Sequence, residues 1–274
     1  MTISDIIQKK SKGEKITVLT AYDYPTAQLL DKAGIDIILV GDSLANVVLG
    51  LESTTQVGMQ EMLHHCKAVS RAVENALVVA DMPFGSYQID HSKALANARL
   101  FIGEAGCGAV KLEWFDNCAR VTESIIKDGI AVMGHIGLTP QTVSKEDGMK
   151  VQGRDASSAR HIIKQAKILQ EAGCFAIVLE CVPKELAKII TAELKIPTIG
   201  IGAGPHCDGQ VLVSHDVLGL VTRYHPKFAK KYVDLSAAMV KAFGKYKNEV
   251  KSGRFPDDEH SFHMTRDELK KLRQ

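Results

Sequence analysis

The chain has 274 residues, with 34 Lys and Arg against 32 Asp and Glu and a formal charge of +2. So mild and scattered a basic balance offers no evident nucleic-acid face, and no apolar run approaches the roughly 20 residues of a membrane span. Barrels of this size are routinely single domains with an ample core, so residues 1–274 are taken as one domain.

In chain order, residues 3–11 predict a short helix capped by Thr2 or Ser4. The opening MTISDIIQKKSKGEK lacks an apolar signal core and carries acids, which points to a cytoplasmic protein. Strands are then expected at Ile16–Tyr22, Ile35–Val40, Ala76–Ala80, Ala109–Leu112, Ile130–Met133, Phe175–Leu179 and Thr198–Ile201, with an eighth at Val211–Val213 or Val217–Val221. Helical patterns between them include Met59–Val73, Ser92–Ala105, Asn117–Asp128, Ala156–Ala172 and Lys184–Leu194. Short buried strands alternating with helices make parallel βα units. About eight of them in this length predict an α/β fold, a (β/α)₈ TIM barrel, rather than an open doubly wound sheet. A closing helix is expected over Lys227–Lys247, and the charged stretch 251–274 as a partly mobile tail.

Three units share one form: AGIDIILVGDS at Ala33–Ser43, AGCGAVKLE at Ala105–Glu113 and AGCFAIVLE at Ala172–Glu180. In each, a glycine suited to a helix C-terminus leads into an apolar run that ends on an acid. ALVVA at Ala76–Ala80 lacks the Ala-Gly entry but also ends on an acid, Asp81. Because a barrel gathers its C-terminal strand ends at one mouth, Asp42, Asp81, Glu113 and Glu180 are expected to converge there.

Buried carboxylates need a partner. Asp42, Asp81 and Glu113 are hard oxygen donors from adjacent strands and suit Mg²⁺, which takes one or two carboxylates and completes its shell with water and ligand oxygens. Alternatively each acid stabilises the N-terminus of the helix that follows. Lys111 stands two residues before Glu113, on the same side of the strand. It calls for an inward anion, either a substrate carboxylate or a structural acid. Glu180 follows FAIVL, so burial would raise its pKa and make it a proton acceptor, unless it only precedes the helix after Pro183. His135 is placed to donate to a substrate oxygen or to serve as a satisfied structural residue. The pairs His64/His65 and His260/His263 lack partners at metal-ligand spacing. IGIGAG at 199–204 lacks the helix that a dinucleotide fingerprint runs into, so its glycines are expected to admit a ligand or pack the interior. Six unclustered cysteines without C-x-x-C predict reduced core thiols.

With these residues assembled, the chain resembles the ketopantoate hydroxymethyltransferases from TAYDY at Thr20–Tyr24 to the HSFH that ends at His263. The motifs LVGDSL, ADMPFGSY, VKLE, GHIGLTPQ, VQGR, LECVP, IGIGAG, DGQ, PKFAK and DEHSFH occur in that order. The resemblance implies a Mg²⁺-dependent barrel that transfers a one-carbon unit from 5,10-methylenetetrahydrofolate to 2-oxoisovalerate in pantothenate biosynthesis, working as a large homo-oligomer. It implies Asp42, Asp81 and Glu113 as the metal set, and Ser43, Asp81 and Lys111 as contacts to the oxo acid. Glu180 becomes the base, and His135 lies near the substrate. Trp114 and Phe115 stand where the family often has a glycine-rich turn, and VTRYHPKFAK lacks the usual preceding glycines. The alternative enzyme is a Mg²⁺-dependent lyase or mutase of a small oxo acid. Such lyases often carry a reactive loop cysteine, for which no motif is evident. A non-catalytic metabolite- or metal-binding barrel that works through its partners is the third reading, because fold alone does not decide activity.

Overall fold

The computed structural model describes residues 1–142, 150–221 and 226–272. Helix α1 (Ile3–Lys12) starts at a capping box in which Thr2 and Asp5 exchange side-chain and backbone hydrogen bonds. Then come β1 (Ile16–Thr20), α2 (Tyr24–Lys32), β2 (Ile37–Val40), α3 (Leu44–Val47), α4 (Met59–Ser70), β3 (Leu77–Asp81), α5 (His91–Gly103), β4 (Ala109–Glu113) and α6 (Cys118–Lys127). The second half runs through β5 (Val132–Gly137), α7 (Ala156–Glu171), β6 (Ala176–Glu180), α8 (Lys184–Glu193), β7 (Thr198–Ile201), β8 (Gly209–Leu212), α9 (Ser214–Val217), α10 (Leu235–Lys251) and α11 (Arg266–Lys271). All eight strands are parallel, and β1 pairs with β8 to close the barrel. This is the expected (β/α)₈ fold.

Two cores follow from the alternation along each strand. Val18, Ile37, Val79, Ala109, Met133, Val178 and Ile199 point inward and form the barrel interior, while Ile38, Ala80, Val110, Leu112, Ile136, Ile177 and Leu179 pack outward with the helices. Fully buried Ile6 joins the interior cluster, so α1 plugs the N-terminal end of the barrel. Its docking is fixed by Lys9–Asp36 and Lys10–Asp208 ion pairs of 2.9 and 2.7 Å at the starts of β2 and β8.

Three expected boundaries move. β5 begins at Val132 and continues through Gly137, so His135 lies within a strand. Gly134 permits this, since a β-carbon there would stand 2.9 Å from Leu169 Cδ1. The eighth strand is Gly209–Leu212, and residues 214–217 turn into α9 instead. The closing helix starts at Leu235, where the Asp234 side chain accepts from Ala237 N–H; the expected stretch 227–234 is not helical. Of VTRYHPKFAK, residues 222–225 lie outside the described residues.

Candidate active site

The alternation that fills the interior with Val79, Ala109, Met133 and Val178 carries Asp81, Lys111, Glu113, His135 and Glu180 into the same space two or four residues later. Strand register sets them side by side: Asp81 is the partner of Lys111, and Glu113 of His135. Asp42 follows β2 by two residues, and its backbone N–H donates to Asp81 Oδ2 at 3.1 Å. Gly41 makes room for this, since a β-carbon there would stand 2.8 Å from Ser43 Oγ and 3.5 Å from Asp81 Oδ2.

Lys111 Nζ lies 2.6 Å from Asp81 Oδ1 and 3.1 Å from His135 Nδ1. The structural anion weighed for Lys111 is therefore Asp81. Burial alone would depress the lysine, but Asp81, Glu113 and Asp42 hold it above its ordinary range. Burial pushes Asp81 up to about 6; Lys111 opposes that shift and Asp42 adds to it. Burial also drives Glu113 well above the carboxylate range; Lys111 pulls it back, and the neighbouring acids Asp42, Glu180 and Asp81 push the same way as burial.

Burial and the Lys111 ammonium push His135 below its usual value, so the ring is neutral. An ammonium only donates, so Nδ1 accepts and Nε2 carries the proton. Nε2 faces Glu180 Oε2 at 3.3 Å yet has no hydrogen-bond partner. His135 is therefore not the fully satisfied structural histidine considered from sequence. Glu180 keeps 14% of its side chain accessible, against 2–4% for Asp81 and Glu113. The next residue, Cys181, is left-handed (φ 48°) without being glycine, a strained turn directly after Glu180.

The helix-capping alternative for the acids is not what the geometry shows. Asp42 accepts from Gln141 Nε2 at 2.9 Å and Glu113 accepts from Gln141 N–H at 3.0 Å, while α3 and α8 have no side-chain cap. Ser43 Oγ is 2.8 Å from Tyr22 Oη, whose backbone carbonyl is 2.6 Å from His65 Nδ1. The other histidine pair, His260 and His263, sits with Asp257 and Asp258 on the exposed C-terminal stretch.

Sequence reasoning assigned no role to Gln141, Tyr87 or Tyr22, all buried. Each closes or lies inside a quoted motif, GHIGLTPQ, ADMPFGSY or TAYDY, and that was the available signal. The IGIGAG glycines serve packing: at Gly204 (φ 78°) a β-carbon would stand 2.4 Å from Lys184 Cβ, and at Gly202 2.8 Å from Phe228 Cδ1. All six cysteines are free and buried, as expected.

Among the described residues no three His, Cys, Asp or Glu side chains form a ready-made metal cage. The donor chemistry nevertheless fits a hard divalent cation. Asp42, Asp81 and Glu113 are all buried oxygen donors, and Lys111 is the sole buried Lys or Arg among the described residues to balance them. A cation that takes one or two carboxylates and fills its shell with water and ligand oxygens matches that set.

Comparison with known proteins bears on what the site does. The relative from Moorella thermoacetica, a 3-methyl-2-oxobutanoate hydroxymethyltransferase, is 55% identical over 96% of this chain and 97% of its own length. That of Syntrophomonas wolfei, with the same name, is 51% identical over 99% of both chains. Among solved structures, phosphonopyruvate hydrolase in complex with oxalate and Mg²⁺ superposes with a TM-score of 0.61 at 13% identity, covering 100% of this chain and 95% of that one. Phosphoenolpyruvate phosphomutase from Streptomyces platensis gives 0.62 at 15%, covering 99% and 94%. These two likenesses concern the fold. Residues 1–258 match the family model of ketopantoate hydroxymethyltransferase, and the chain belongs to that family.

Proposed function

We propose that this chain transfers a hydroxymethyl group to 2-oxoisovalerate (3-methyl-2-oxobutanoate), with 5,10-methylenetetrahydrofolate giving the carbon and water the hydroxyl oxygen, so that ketopantoate and tetrahydrofolate leave. The carrying observation is that Glu180, more accessible than the buried acids Asp42, Asp81 and Glu113, stands beside the unpaired Nε2–H of neutral His135. Mg²⁺ held by those acids, in part through water, supplies Lewis acidity toward the keto and carboxylate oxygens.

Glu180 takes the proton from the carbon next to the ketone. Its partial exposure leaves room for that carbon beside it, and the His135 N–H is poised to donate to an oxygen of the substrate. Ser43, Asp81 and Lys111 contact the oxo acid, with Lys111 kept charged by its neighbours so that it neutralises the substrate carboxylate. The carbanion formed attacks the methylene carbon of the folate iminium and sends the C=N electron pair to nitrogen. Water then takes the nitrogen's place on that carbon, so that the C–N bond breaks, its electron pair and a proton leave with tetrahydrofolate, and the hydroxyl stays on the product. The lyase alternative has less support, because every cysteine is buried and none stands free as a reactive loop thiol.

The assembly is proposed to be a homo-oligomer. Helix α10 has no buried residue, and Val240, Phe243, Tyr246 and Val250 expose an apolar row along it. A groove of about 790 Å³ runs along the outer side of β1 and β8, lined by Leu19, Ile35, Leu212, Phe228 and Tyr232. Both surfaces suit cover by a second copy. No helix among the described residues is long and apolar enough to cross a membrane.

The deciding experiment follows loss of the proton next to the ketone of 2-oxoisovalerate by NMR in D₂O, with and without Mg²⁺. Exchange that needs the metal is expected; no exchange, even after adding tetrahydrofolate, would overturn the reading.

A further inference from the structure

Gln141, on the connection after β5, makes more polar contacts to the acid cluster than any of the acids make to one another. Its backbone N–H donates to Glu113 Oε2 at 3.0 Å. Its amide nitrogen donates to Asp42 Oδ2 at 2.9 Å and to the Met82 carbonyl at 3.1 Å. Its amide oxygen accepts from Tyr87 Oη at 2.7 Å and from Gln88 Nε2 at 3.3 Å. Tyr87 Oη in turn accepts from Glu113 N–H at 3.2 Å, and its ring is braced edge-on by Phe115, with centroids 5.5 Å apart. Both amide hydrogens and the amide oxygen are used, so one orientation of the side chain satisfies all its partners.

The residue is 3% exposed and therefore has no water to fall back on. Asp42 follows β2 and Glu113 ends β4, with β3 between them. One residue thus fixes both, through its side chain on one side and its main chain on the other.

We propose that Gln141, oriented by Tyr87, is the positioning residue of the cation site: it sets the separation and direction of the Asp42 and Glu113 carboxylates and thereby the affinity for the metal. The inference rests on the reading of those acids as metal-holding. Partners that orient metal-holding side chains typically change affinity by about ten- to a hundredfold when removed. Gln141→Met keeps the length of the side chain and the N–H to Glu113 while removing every side-chain bond. Tyr87→Phe removes the orienting hydroxyl and with it the acceptor for Glu113 N–H.

The test is direct titration of purified full-length wild type, Gln141→Met and Tyr87→Phe with Mn²⁺, with free ion followed by EPR and folding checked by circular dichroism. Mn²⁺ binding about ten- to a hundredfold weaker in Gln141→Met is expected, with a smaller loss in Tyr87→Phe and an altered signal of the bound ion in both. Wild-type affinity and an unchanged bound-ion signal in a folded Gln141→Met would overturn the proposal. If Gln141→Met fails to fold, Tyr87→Phe decides in the same way. A wild type that binds no Mn²⁺ would overturn the metal reading itself, and this inference with it.

Discussion

Lys111 Nζ sits 2.6 Å from Asp81 Oδ1, and the two residues are register partners on neighbouring strands, so the ion pair is built into the barrel wall. Lys111→Met leaves three buried carboxylates with no buried Lys or Arg among the described residues. Breaking a buried pair from one side costs about 3–5 kcal/mol. Urea unfolding in EDTA is expected to show a loss of that size, partly restored by MgCl₂. A variant as stable as wild type in EDTA would show that the pair contributes nothing to the fold.

Glu180→Gln keeps the shape of the side chain but removes its capacity to accept a proton. Exchange of the substrate proton is expected to fall by roughly 10²–10⁴-fold, the range of general-base catalysis. Binding of the oxo acid, measured by calorimetry, should change less than about threefold. Exchange at the wild-type rate would remove Glu180 from the role of base.

Divalent cation should stabilise the folded chain, because the acid cluster exists only when the barrel is closed. At a hundredfold excess over its dissociation constant, Mg²⁺ is expected to add about 2.7 kcal/mol, seen as a rise in the unfolding midpoint relative to EDTA. Asp42→Asn together with Asp81→Asn should abolish the rise. A rise of the same size in the double variant would place the cation elsewhere.

Asp31 gives a pH dependence away from the site. Burial pushes its carboxyl up, but hydrogen bonds from the N–H groups of Ala76, Glu74 and Asn75 and from the Asn75 side chain outweigh that and leave it below the usual range. A carboxyl lowered by folding contributes stability that is fully present above its unfolded value near 3.8 and is lost as pH falls through the folded value. Asp31→Asn should therefore unfold at lower urea than wild type at pH 7, with the gap narrowing toward pH 3. A gap independent of pH would sink the account.

For the assembly, Val240→Glu with Phe243→Glu places charge on the apolar row of α10. Light scattering is expected to report a smaller species with an unchanged circular dichroism spectrum. An unaltered mass would move the subunit contact to another surface.

The barrel was legible because βα alternation needs only local apolar runs and their glycine punctuation. The four acids were legible because strand ends in such a barrel meet at one mouth. What escaped was whatever depended on long-range pairing. Gln141 lies on a connection, and nothing local distinguishes a glutamine that satisfies two acids from one that faces solvent. β5 was cut short because Gly134 and His135 weaken a strand pattern that tertiary packing against Leu169 sustains. The closing helix was begun too early because PKFAK carries helical spacing, while Asp234 provides the cap further along.

Asp42 and Gln141 are separated by 99 residues, and Thr20 meets Ser214 across 194. Each closure carries the entropy of a long loop, so the contacts that finish the mouth form late as the chain folds. Until Gln141 meets them, Asp42 and Glu113 lack its N–H donors, and the β2–β4 segment presents an unpaired parallel edge. Burying the acids and sealing the barrel thus both wait on contacts between distant parts of the chain.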